Sequence, residues 1–190
     1  MIVQLAGLPG SGKSTLATEL VCRLGQRALL LDKDRIRNSF FGPEHTVYTR
    51  AQDDFCVVMM LRAAAWQLRD TPSGVVILDG RTCSRAYQVT QVRRFADRIR
   101  QPLRLIECVC TQATIEKRLQ ASSASGTHPA ANRGIRLYRQ LLANADPIPE
   151  PKLRLNTDKS LRNCADQAVH YITHPLPIDS RRSKSIGTDT

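Results

Sequence analysis

Long apolar runs are missing from this chain: the longest, Phe55 to Leu61, stops at Arg62 and is far too short to cross a bilayer as a helix. Cysteine pairs at metal or disulfide spacing are missing as well. The six cysteines (Cys22, Cys56, Cys83, Cys108, Cys110 and Cys164) include no C-x-x-C and no His/Cys cluster, which argues against a zinc ribbon. They are expected as reduced, mostly buried thiols, with the C-x-C of Cys108 and Cys110 setting two small side chains on one face of a strand. Acids are scarce relative to bases, leaving a net charge of +11 that favours phosphates, nucleotides or nucleic acid without choosing among them. Met1 runs straight into Ile2-Val3-Gln4-Leu5-Ala6 with no basic lead and no cleavage site, so no export signal is read and the cytoplasm is the expected location.

What is present fits one domain with a sizeable core, 190 residues at 42% hydrophobic and 24% charged. Its expected extent is residues 1–174. The remainder, 175–190, is rich in Pro, Ser and charge, lacks apolar periodicity, and is expected as a flexible tail. Short apolar strands alternate with longer amphipathic helices, the pattern of a parallel sheet covered on both faces. The strands are expected at Ile2–Ala6, Ala28–Leu31, Val75–Leu78, Leu103–Cys108 and Lys152–Leu155. One helical face collects Val92, Phe95, Ala96 and Ile99, and another Leu161, Ala165, Ala168, Val169 and Ile172, with caps expected at Ser84 and at Thr157 or Asp158. The segment 53–69 is apolar around most of its circumference, which predicts a helix packed on several sides with Trp66 and both methionines in the core. The small polar stretch 120–132 is expected to be mobile.

One motif dominates. Gly7-Leu8-Pro9-Gly10-Ser11-Gly12-Lys13-Ser14-Thr15 satisfies G-x(4)-G-K-S/T directly after an apolar strand and directly before a helix. Glycines let the backbone wrap a polyphosphate with its N–H groups pointing inward, and the following helix aims its positive end at the same charge. Lys13 is then expected on the β- and γ-phosphates of ATP and Ser14 on Mg²⁺. A second element, Asp32-Lys33-Asp34-Arg35-Ile36-Arg37, lies at the end of the second strand, where open parallel sheets place their ligand crevice. Asp34 is the candidate base that orients an attacking hydroxyl, and Arg37, on the same helical face, the candidate partner of an anionic group. The plain alternative is that Asp32 and Asp34 cap the helix while Arg35 and Arg37 decorate its surface.

A third element, Val75 to Leu78 followed by Asp79-Gly80-Arg81, has the form of a buried strand ending in a metal-facing carboxylate, with Gly80 leaving room beside it. Arg81 reads either as a substrate contact or as a surface ion pair. A fourth is the set Arg118, Arg133, Arg136 and Arg139 flanking the small-residue stretch, of which Arg118 and Arg133 are candidates for a lid arginine acting on the transferred group. Leu155-Asn156-Thr157-Asp158 lies where a loop can pack against adenine.

Together these blocks resemble the small P-loop kinases that include adenylyl-sulfate kinase, zeta-toxin-type kinases, chloramphenicol phosphotransferase and the 5′-hydroxyl kinase domain of polynucleotide kinase. GLPGSGKST, DKDRIR, LDGRTCSR and HPAANRGIRLYRQLL followed by DPIPEPKLRLNTD stand in the order of that family. The resemblance implies a three-layer α/β fold with a five-stranded parallel sheet ordered 2-3-1-4-5, Mg·ATP as cosubstrate, Asp34 as the catalytic acid of a D-x-x-R block and Arg37 as its acceptor-binding arginine. Asp32 and Arg81 join the expected substrate contacts, and Thr157 the nucleotide contacts. The aspartate-proline-lysine-glycine lid of the adenylyl-sulfate enzymes is missing here, which argues against that acceptor. Three classes follow: a small-molecule kinase, which is favoured, a nucleic-acid end kinase, and a nucleotide-dependent switch without an acceptor. The chain is expected to act as a monomer or homodimer away from membranes, and it shows no N-K-x-D guanine reader.

Overall fold

The computed structural model of the protein describes residues 1–125 and 134–174. The tail from residue 175, most of the stretch expected to be mobile, and Arg133 lie outside the described residues. Five strands, β1 (Ile2–Ala6), β2 (Ala28–Asp32), β3 (Val75–Asp79), β4 (Leu103–Val109) and β5 (Leu153–Asn156), form one parallel sheet in the order β2-β3-β1-β4-β5. The expected strands and order are all there. Four of them end one residue beyond the expected run, because ladder pairing continues past it: Asp32 pairs with Asp79 and Val109 with Asn156.

Two helices, α1 (Lys13–Leu24) and α7 (Leu161–Thr173), cover one face of the sheet, burying Leu16, Leu20, Ala165, Ala168 and Ile172 against Val3, Leu5 and Ile106. The opposite face receives α3 (Arg50–Asp70) and α4 (Ala86–Arg98), whose Val57, Met60, Ala64, Val92 and Phe95 meet Ile2, Val76 and Leu78. Strand residues alternate between these two cores, so a parallel strand buried on both sides reads as an unbroken apolar run. The remaining helices are α2 (Lys33–His45), α5 (Gln112–Ser125) and α6 (Ile135–Ala143). The first of these breaks at Gly42, whose φ of 60° is followed by Pro43.

Four expectations are corrected. Helix α3 is packed on the sheet and against α2 but not all round: Met60 is buried and Met59 half-buried, while Trp66 is 60% exposed and Phe55 45% exposed, since a helix in an outer layer has just one sheet face to cover. Phe55 instead meets the rings of Phe40 and Phe41 edge-on, at 6.2 and 5.7 Å. Helix α4 starts after Arg85, not Ser84, whose carbonyl is taken by the Asp146 amide at 2.9 Å. Helix α7 is capped by Ser160, whose hydroxyl accepts from the Asn163 amide at 3.3 Å, because Thr157 and Asp158 are engaged elsewhere. Leu161, placed on the core face of α7 by its spacing, is 40% exposed in that first turn.

Candidate functional site

All the candidate residues within the described chain gather at the C-terminal edge of the sheet. The loop from Gly7 to Gly12 leaves β1 there and enters α1, whose N-cap is Gly12 in the left-handed region at φ 85°. Gly7 has φ 136°, and a β-carbon on it would stand 2.4 Å from the Cys108 carbonyl oxygen and 2.7 Å from Ser11 Oγ, so only glycine lets the loop lie this close to β4. The Gly7 amide is fixed by the Thr82 carbonyl at 2.9 Å. Pro9 and Ser11 are buried, while Ser14 and Thr15 face outward at the mouth of α1. Lys13 is only 5% exposed and curls over its own loop, its ammonium donating to the Leu8 carbonyl at 2.9 Å and to Ser11 Oγ at 3.3 Å.

The loop is braced from the far edge of the sheet. Arg118 donates to the Gly10 carbonyl at 3.2 Å and to Thr157 at both Oγ1 (3.1 Å) and the carbonyl (2.8 Å), while Thr157 Oγ1 donates to the Ser11 carbonyl at 2.9 Å. The sequence placed Arg118 at a helix end beside a mobile lid. It lies instead in the middle of α5 and is held against the phosphate loop and the β5 exit, and its lid role is not what this geometry favours. Of the other lid arginines, Arg133 lies outside the described residues, Arg136 is exposed, and Arg139 reaches Glu116 at 3.6 Å. Asp158 turns to the start of α5. Hydrogen bonds from the Thr114 hydroxyl and then the Thr111 amide hold its carboxyl below the usual range.

At the end of β2 the two aspartates divide their work. Asp32 is the cap of α2, accepting from the amides of Asp34 (2.8 Å) and Arg35 (3.2 Å), so the plain reading holds for it. Asp34 turns inward and is 3% exposed. Its Oδ1 receives Arg37 Nη1 at 2.7 Å and lies 3.7 Å from Lys33 Nζ. Arg37, far from decorating the surface, is 1% exposed and lies over the Tyr48 ring at 5.2 Å. Arg81 is likewise buried, 3% exposed, so the ion pair it makes is recessed and not on the surface. It donates to Gln91 Oε1 at 2.7 Å and Asp54 Oδ1 at 2.5 Å, and lies over the Tyr87 ring at 5.5 Å.

Asp79, at the end of β3 and 1% exposed, has an Oδ1 with no hydrogen-bond partner among the described residues. A buried carboxylate oxygen left in that state fits a Mg²⁺ ion, which together with the Ser14 hydroxyl and nucleotide oxygens would complete its shell. No group of three His, Cys, Asp or Glu suited to a metal exists among the described residues. Beside the loop opens a cavity of about 350 Å³ bounded by Gly7, Thr82, Ser84, Glu107, Tyr138 and Ile148, large enough for a small organic molecule.

The match to known proteins agrees with this geometry. Residues 2–147 fit the model of an AAA domain, AAA_33, over most of the chain. The chain belongs to the AAA_33 family. Its fold recurs in a protein of Chloroflexus aurantiacus J-10-fl whose kinase assignment is provisional (TM-score 0.70, 18% identity, covering 90% of this chain and 97% of the other). It recurs in the Mycobacterium tuberculosis APS kinase CysC, solved with AMPPNP and APS (TM-score 0.65, 19% identity, 91% and 97% covered). It recurs again in a sugar kinase of Janibacter sp. HTCC2649 (TM-score 0.59, 14% identity, 90% and 93% covered). No curated protein matches this AAA-domain chain by sequence.

Two site carboxylates escaped the sequence reading. Asp53 lies 3.0 Å from Lys33 Nζ and pairs with Arg37 Nη2, while its neighbour Asp54 holds Arg81. Two acids opening an apolar helix are an ordinary helix-start signal, so nothing in the pattern marked them as partners of arginines far off in sequence. Burial pushes the Cys83 thiol up to about 11 and the Cys108 thiol up to about 12, which disfavours the reactive thiolate at both. Cys22, by contrast, is exposed and departs from the expected burial. A thiol reagent at pH 8 is expected to label Cys22 first and Cys83 and Cys108 only in denaturant, which peptide mapping after timed quenching would check.

Proposed function

We propose that the chain is an ATP-dependent kinase that moves the γ-phosphoryl of Mg·ATP onto a hydroxyl of a small-molecule acceptor. The observation that carries this reading is the buried Asp34, held by Arg37 at 2.7 Å one strand beyond the Asp79 strand and two beyond the phosphate loop. A hydrolase needs only a water positioned near the loop, whereas a recessed acid paired with an arginine and a lysine suits an alcohol that brings its own anionic group.

In this mechanism the loop amides of Gly10 to Ser14 take the triphosphate, helped by the N-terminus of α1. Lys13 exchanges Leu8 O and Ser11 Oγ for phosphate oxygens. Ser14 and Asp79 would hold Mg²⁺, which when bound would neutralise phosphate charge. Asp34 orients the acceptor hydroxyl and takes its proton as the new O–P bond forms and the bond from the γ-phosphorus to the bridging oxygen breaks. Arg37 and Arg81 fix the acceptor's anionic part, and Thr157 with Arg118 lines the adenine side. The glycine at 80 lets the start of α2 lie close against the end of β3, where a β-carbon would meet Lys33 Cβ at 2.9 Å.

A screen with γ-labelled ATP across nucleosides, sugars, aminoglycosides and short oligonucleotides tests the reading. Label is expected in an organic product only when Mg²⁺ is present. Label appearing solely as inorganic phosphate across the panel would favour a switch without an acceptor. The exposed arginines of α4 and its end, Arg94, Arg98 and Arg100, are the observation in favour of an oligonucleotide acceptor, which would show a steep fall of activity with salt.

A further inference from the structure

The two acceptor-side arginines are held by neighbours in sequence. Asp53 pairs with Arg37 and Lys33, and Asp54 pairs with Arg81, so the first turns of α3 supply counter-ions to residues from the ends of β2 and β3. The pairing is asymmetric in burial. The side chains of Arg37 and Arg81 are 1% and 4% exposed, whereas those of Asp53 and Asp54 are 37% and 35% exposed. Each arginine is also incompletely satisfied: Nε of Arg37 and Nε of Arg81 are buried with no hydrogen-bond partner among the described residues. A buried guanidinium with an unused N–H is costly to leave so, and an arriving oxyanion is the group that satisfies it.

We propose that Asp53 and Asp54 are specificity-determining residues: internal anions that hold Arg37 and Arg81 and yield them to an anionic group, phosphate, sulfate or carboxylate, on the acceptor. This rests on the kinase reading for the claim that the arginines face an acceptor. The physical reason is the exposure difference. A displaced Asp53 or Asp54 is rehydrated by the solvent it already touches, while the arginines stay where they are, so the exchange costs the enzyme little and costs a neutral ligand everything. A neutral alcohol can accept one hydrogen bond but brings no charge to replace the carboxylates on Arg37 and Arg81. The helix start that carries the aspartates is fixed independently by the buried Gln52, which accepts from the Val47 amide at 2.9 Å and donates to the His45 carbonyl at 3.0 Å. Its position therefore does not depend on the ion pairs themselves. Tyr48 and Tyr87, each under one of the arginines, keep the guanidinium planes in place during the exchange.

The test uses inorganic sulfate as the probe, titrated calorimetrically into protein saturated with MgADP, so that the phosphate loop is filled, at ionic strength held constant with chloride. Asp54→Asn removes a competing charge and keeps the side-chain shape. It is expected to tighten sulfate binding about tenfold, and Asp54→Asn combined with Arg81→Gln is expected to lose that gain. Asp53→Asn should act in the same direction through Arg37; if that variant fails to fold, Asp54→Asn carries the test alone. Sulfate bound no more tightly by Asp54→Asn than by the parent protein, or a gain that survives Arg81→Gln, would overturn the proposal and leave the aspartates as purely structural partners. The kinase reading fails separately, through absent MgADP binding or an acceptor screen without product.

Discussion

Replacing Asp34 by Asn is expected to slow phosphoryl transfer by about a thousandfold while nucleotide affinity changes less than about threefold. General-base assistance typically contributes between about a hundredfold and ten-thousandfold, and Asp34 is placed to supply it. Asn keeps the shape and can still accept from Arg37 Nη1, now found at 2.7 Å from Asp34 Oδ1, so the local packing survives. Asp53 still pairs with both Lys33 and Arg37, but one carboxylate then serves two recessed cations, so the variant is also expected to melt somewhat lower. What disappears is the ability to take a proton. Single-turnover transfer to the acceptor found by the screen, measured beside a nucleotide titration, separates the two quantities. Loss of binding and turnover in equal measure would mean that Asp34 serves the nucleotide site and not the acceptor.

The Gly7→Ala change is expected to have the opposite signature, damaging nucleotide binding first. Its β-carbon would intrude to 2.4 Å from a backbone oxygen of β4, which cannot swing aside as a side chain can. Its φ of 136° lies where an L-residue is strained. Together these predict a loss of about 2–4 kcal/mol of stability, from overpacking and from a disallowed backbone, with nucleotide binding lost even where the sheet stays folded. Thermal unfolding with and without MgADP checks it. The variant is expected to melt lower and to show almost none of the nucleotide-dependent rise seen in the parent chain. A full nucleotide-dependent rise in that variant would show that the loop does not need its close approach to Cys108.

The strands and the phosphate loop were legible because their signals are local. An apolar run bounded by Asp or Gly, and a glycine pattern between strand and helix, need no knowledge of distant residues. The strand order came from resemblance, and the ladder bears it out. Helix α3 misled because composition alone says how apolar a helix is and not how many neighbours it has: Trp66 and Phe55 face away from the sheet that buries Met60 and Leu61. Arg118 misled in the same way, since its partners, Gly10 and Thr157, are far from it in sequence. Asp53 and Asp54 were invisible for that reason too. The pattern shows which residues are able to be charged partners, and only the packing of α3 beside the ends of β2 and β3 shows which arginines they meet.

The clasp formed by Arg118 and Thr157 has a thermodynamic corollary. It fastens two carbonyls of the phosphate loop to the exit of β5, an outermost strand of the sheet, followed directly by α7. Edge strands and chain ends are where proteins fray first. The grip on triphosphate is thus mortgaged to the least durable corner of the sheet, and a bound nucleotide should return the favour by slowing amide exchange along that remote border.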